Sequence, residues 1–75
     1  SPITVEKQVA IIYLGTQGLL SGVPVNKVGE FEENFLLTME RSHSDVLELL
    51  RKGSLSDEVL STLKKVGAEV AAQFK

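Results

Sequence analysis

Apolar residues crowd the start of this chain without leaving a polar face. Val9, Ala10, Ile11, Ile12, Tyr13 and Leu14 follow one another unbroken. A surface helix keeps a polar stripe, so this segment expects neighbours on more than one side. Thr4 stands where a helix cap would, and Glu6 sits near the positive helix end. At about 100° per residue, Val5, Val9, Ile12, Tyr13, Thr16, Leu19 and Leu20 share one broad arc, with Ile11 and Leu14 on the far side. The spacing predicts a helix over residues 5–20 with that arc as its main apolar face. A strand over residues 9–13 is the competing reading, since Val, Ile and Tyr favour sheets. The helical period persists well past those residues and decides for a helix.

Ser21-Gly22-Val23-Pro24 is a turn by composition. A second helix is predicted over residues 25–41, where Val28, Phe31, Phe35 and Met39 keep the i, i+3, i+4 rhythm and Leu36 widens the stripe. Gly29 within it costs about 1 kcal/mol relative to alanine. Glu32 falls inside the apolar arc, an odd place for a carboxylate. Ser42 with Asp45 has the capping-box arrangement and predicts a short third helix over residues 44–52. Arg51 and Lys52 suit its negative end, and Gly53 stops it. Ser54 or Ser56 then caps a fourth helix, with Asp57 and Glu58 in its first turn. Val59, Leu63, Val66, Val70 and Phe74 form its stripe, broadened by Leu60 and Ala71. Short connections imply antiparallel neighbours. The expected fold is all-α, a compact bundle of about four antiparallel helices forming a single domain over residues 1–75, without internal repeats or linkers.

Composition narrows the function classes. The chain has 75 residues and no cysteine, which removes disulfides and thiolate metal sites and favours an intracellular setting. A net charge of −2 and scattered basic residues do not make the dense cationic face of a nucleic-acid binder. No apolar run approaches the roughly 18–20 residues that span a bilayer, so direct membrane insertion is not expected. The chain starts Ser1-Pro2, and a piece cut from a longer protein is the simplest expectation.

The ordered features carry a resemblance. Gln8-Val9, then Ile12-Tyr13-x-Gly15-x-x-Gly18, Leu20 and Pro24, Phe31-Glu32, Phe35-Leu36, His43, the Gly53 stop and the Ser56-Asp57 restart resemble the C-terminal helical domain of the alpha subunit of F-type rotary ATP synthases. The likeness runs over essentially the whole chain. Lys7, Leu19 and Ser21 depart from the family's frequent acidic, aromatic and aspartate residues. The resemblance implies a regulatory, non-catalytic subunit that alternates with beta subunits around a rotating central shaft. It implies that Mg-ATP binds through an upstream nucleotide-binding domain, so that this fragment holds no cofactor and no catalytic residues. The implied partners are that upstream domain, the beta subunits and the central-stalk gamma subunit. The implied location is peripheral on an energy-transducing membrane, at the cytoplasmic face of a bacterial plasma membrane or the matrix side of the mitochondrial inner membrane.

Candidate chemistry is sparse. Gly15-x-x-Gly18 is not followed by Lys-Ser/Thr and sits late in the predicted helix, so it lacks the geometry of a phosphate loop. A structural reading is stronger: Gly15, Gly18 and Ile11 share a side on which another backbone could approach closely. His43 is the only histidine and suits a structural role at the junction of helices two and three, since no second imidazole or thiol is present to share a metal. Glu32 reads as a structural carboxylate paired with a neighbouring element rather than as an acid/base group with a raised pKa. Gln8 and Tyr13 are assigned structural roles as well, Tyr13 as a core aromatic with its hydroxyl at a polar rim. Leu55-Ser56-Asp57-Glu58 is a diluted echo of the acidic, Leu- and Ser-containing loop by which the related beta subunit meets the shaft, although helix capping accounts for the same residues. It is the expected inter-subunit or shaft contact.

The expected function is a structural and mechanical module in the membrane-proximal collar around the shaft. A free-standing small helical carrier is the alternative. Carriers of that kind need Asp-Ser-Leu at a helix start, whereas Ser54-Leu55 here follows Gly53. A free-standing protein-interaction domain would have to hide Ile11, Leu14 and Leu37, which the helix wheels place off the main core. The module reading buries them against a missing body.

Overall fold

The computed structural model describes residues 4–74, and among them only helices and turns occur. Helix α1 spans Val5–Thr16, α2 Val28–Ser42, α3 Ser44–Arg51 and α4 Asp57–Ala71. Short 3-10 turns occupy Leu19–Gly22, Val25–Lys27 and Ala72–Phe74. The all-α fold matches the helical periods in the sequence. The arrangement is less simple than a series of hairpins. Both α1 and α2 pack on α3 and α4 rather than along each other, so the last two helices form the shared wall.

Helix α1 ends at Thr16, a turn earlier than its apolar period suggests. The Thr16 hydroxyl donates to Tyr13 O at 2.6 Å. Gly18 then takes φ +73°, the left-handed conformation that costs other residues a clash with their own Cβ. The Ser21 hydroxyl donates to Gly18 O at 2.7 Å and fixes the turn that follows. Leu19 and Leu20 therefore belong to a separate turn and not to α1.

The buried face of α1 also differs from the wheel reading. Ala10 and Leu14 are completely buried, whereas Ile12 and Val5 are 65% and 70% exposed. Leu14, expected to await a missing body, lies at the centre of the core, and Ile11 packs half-buried against it. The physical reason lies on α4. Gly67 is buried there, and an added Cβ would come within 2.6 Å of Leu14 Cδ2 and 3.1 Å of Leu19 Cδ1. Leu14 thus fills the space left by the missing side chain at position 67. The small Ala10, one turn earlier, continues the buried row.

The core of α2 follows its sequence stripe, with Phe31, Phe35 and Met39 fully buried. Phe31 stacks near-parallel with Phe35 and meets the edge of Phe74, each at 6.3 Å between ring centroids. The helix starts at Val28, after a 3-10 turn, and runs one residue further than predicted, through Ser42. Ser42 is consequently not the cap of α3. His43 takes that place, and its side chain makes no cap bond. Its N–H donates to Met39 O at 2.9 Å, while its carbonyl accepts from Val46 N at 3.0 Å and Leu47 N at 3.3 Å. One residue thereby closes one helix and opens the next. Lys7 pairs with Glu40 and links α1 to the end of α2.

Helix α3 ends in a Schellman arrangement. Gly53, at φ +87°, donates to Leu50 O at 2.9 Å, and Ser54 N donates to Leu49 O at 2.9 Å. Ser56, not Ser54, caps α4: its hydroxyl accepts from Val59 N at 3.4 Å. Val59, Leu63, Val66 and Val70 are buried along α4, and Phe74 is half-buried.

Candidate docking surface

Away from its buried row, α1 exposes Val5, Gln8, Ile12 and Thr16, with Val9 and Tyr13 half-buried beside them and packed against the core. The α3–α4 connection and the start of α4 rise beside it with Leu55, Leu60 and Leu63. Between them lies an apolar groove of about 360 Å³, lined by Val9, Ile12, Tyr13, Thr16, Leu55, Leu60 and Leu63. Ile12 and Leu55, on its two lips, are 65% and 58% exposed.

The position of Leu55 follows from the two caps around it. Gly53 turns the chain away from α3, and Ser56 restarts it as α4, leaving Leu55 between them with its side chain outward. Asp57 and Glu58 are exposed in the first turn of α4, where the free N–H groups favour carboxylates. Of the sequence-selected residues, the fold thus brings Tyr13 and Leu55 into one groove and sets Ser56, Asp57 and Glu58 at the adjacent helix start.

The other selected residues lie elsewhere. Gln8 is exposed on α1, and its N–H donates to Thr4 O at 3.0 Å. Thr4 holds the cap position of α1 without a side-chain cap bond. Gly15 is exposed, and an added Cβ would meet only Leu20 Cδ1, at an ordinary 3.7 Å. The close approach expected at Gly15 is therefore absent among the described residues and is found at Gly67 instead. A glycine on the buried apolar stripe of an amphipathic helix was the available sign. Gly18 forms the turn after α1. Glu32 is half-buried on α2 and makes no hydrogen bond or ion pair among the described residues, so its expected partner is not supplied by them. Leu37 is 46% exposed on the same helix.

The ion pairs Lys7–Glu40, Lys27–Glu30 and Glu48–Arg51 have partly exposed side chains. Arg51 donates through Nε to Glu48 Oε2 at 3.1 Å and through Nη2 to Oε1. That hydrogen bonding holds the Glu48 carboxyl below its ordinary range; desolvation opposes it, and the charges of Arg51 and Lys52 add to it. Among the described residues, no three His, Asp or Glu side chains gather as a metal-binding group, and no helix is long and apolar enough to cross a membrane.

Comparison with known proteins gives the family. Residues 1–70 match the family described as ATP synthase alpha/beta chain, C terminal domain. ATP synthase subunit alpha of Christiangramia forsetii is 46% identical over 74 residues, covering 99% of this chain and 14% of that protein. The subunit alpha of Flavobacterium johnsoniae is 45% identical over 97% of this chain, and that of Parabacteroides distasonis 48% identical over 93%, each match again covering 14% of the relative. The chain therefore spans about one seventh of the length of these relatives.

Proposed function

The chain belongs to the C-terminal domain family of ATP synthase alpha and beta chains, on its alpha side, and from this we propose that it is a non-catalytic structural and mechanical module of a rotary, proton-translocating ATP synthase. The carrying observation is the likeness to alpha subunits over nearly the whole chain, at 45–48% identity in these three relatives. The module forms part of the membrane-proximal collar around the central shaft, as a comparatively static wall beside the moving beta subunits. Its partners are the nucleotide-binding domain of its own subunit, the beta subunits and the gamma subunit. Mg-ATP is bound, and ATP is turned over, outside these 75 residues. The complex is peripheral on the cytoplasmic face of a bacterial membrane, consistent with bacterial relatives.

Two features of the surface support a docking role. The groove beside Tyr13 and Leu55 offers apolar area without a charge on its lining. Asp57 and Glu58 stand beside it and can meet cationic side chains of a shaft helix. The test has two parts. Mg-ATP titrated into the 75-residue chain should give no saturable binding and no turnover. An alpha subunit carrying this domain should assemble with beta and gamma, and exchanging Leu55, Asp57 and Glu58 together for Ser should weaken coupling between ATP hydrolysis and rotation while leaving nucleotide affinity unchanged. Saturable binding or turnover by the chain alone, or unchanged coupling in the triple variant, overturns the proposal.

A further inference from the structure

We draw no further inference here: the strongest candidate, the apolar groove between α1 and the start of α4 with Ile12 and Leu55 on its lips, has a charge-free lining that suits any apolar neighbour, and nothing in the structure shows what covers it.

Discussion

Leu14 Cδ2 lies 2.6 Å from the point where a Cβ on Gly67 would stand. Leu14 Cδ1 and Leu19 Cδ1 crowd the same point at 3.2 Å and 3.1 Å. These methyl groups are packed in the core, with Leu14 completely buried, so they have little free space to turn into. Gly67→Ala would gain about 1 kcal/mol in helix propensity. Overpacking a well-filled site costs about 1–3 kcal/mol. The second effect wins, and a net loss of about 1 kcal/mol is expected from urea unfolding. Gly29→Ala is the control: nothing lies within 4 Å of its added Cβ, so the propensity gain stands and the chain should become more stable by about 0.5 kcal/mol.

Gly15 behaves as the second control and not as a contact point. Its added Cβ meets only Leu20 Cδ1 at 3.7 Å, within ordinary van der Waals range. Gly15→Ala should therefore raise the melting temperature by a few degrees, in line with a gain of about 0.5–1 kcal/mol. A lowered melting temperature would restore a close approach at this position.

The exchange of faces on α1 has a direct consequence for truncation. Leu14→Ala opens a cavity in the core and should cost about 2–5 kcal/mol, enough to unfold much of so small a domain. Ile12→Ala, on an exposed site, should change stability by less than about 0.5 kcal/mol. Chemical denaturation of both variants checks the assignment. Equal losses would mean that α1 turns its other side inward.

The turn between α3 and α4 depends on two backbone devices. Gly53→Ala places a Cβ in the left-handed region and should cost about 1 kcal/mol. Ser56→Ala removes the acceptor of Val59 N; because that bond is long, at 3.4 Å, the loss should be near the low end for caps, about 0.5 kcal/mol. The two sites are close and share the Leu55 lip, so the double variant should also change the fluorescence of Tyr13 across the groove. An unchanged Tyr13 signal would separate the lip from the groove.

The Glu48–Arg51 pair gives a pH test. The hydrogen bond from Arg51 is the main cause that keeps Glu48 ionised below the ordinary carboxylate range. A carboxylate depressed in the folded state contributes stability above its unfolded pKa and loses it as pH falls through the folded value. Both side chains are exposed, so the contribution is small and screened by salt. In Arg51→Gln, the Glu48 carboxyl carbon, followed by NMR, should titrate at higher pH than in the parent. An unmoved midpoint would show that the pair is not formed in solution.

The helices were legible in the sequence from their periods, and the stripes of α2 and α4 also showed which side is buried, because polar residues stand opposite the apolar ones. The Gly53 stop was legible for a similar local reason: a glycine after a basic last turn closes a helix by its own backbone freedom. The family, too, could be read from the ordered motif from Gln8 to Asp57. Helix α1 lacks that contrast. With apolar residues on every side, its period says helix but does not say which side faces inward.

That choice was made in three dimensions. The vacancy above Gly67 admits Leu14, and once Leu14 is in, Val5 and Ile12 must point out. The break at Gly18 belongs to the same level, since the hydroxyls of Thr16 and Ser21 hold a turn that hydrophobic spacing does not register. So does the meeting of Tyr13 with Leu55, which lie far apart in sequence and share a groove only because α1 and α4 pack on one another. Local sequence determined which segments are helical and where most of them stop, because hydrogen bonding and burial within one helix depend on near neighbours. Packing between helices decided which faces are buried and which surface is left for a partner, because that depends on the shape of residues many turns away.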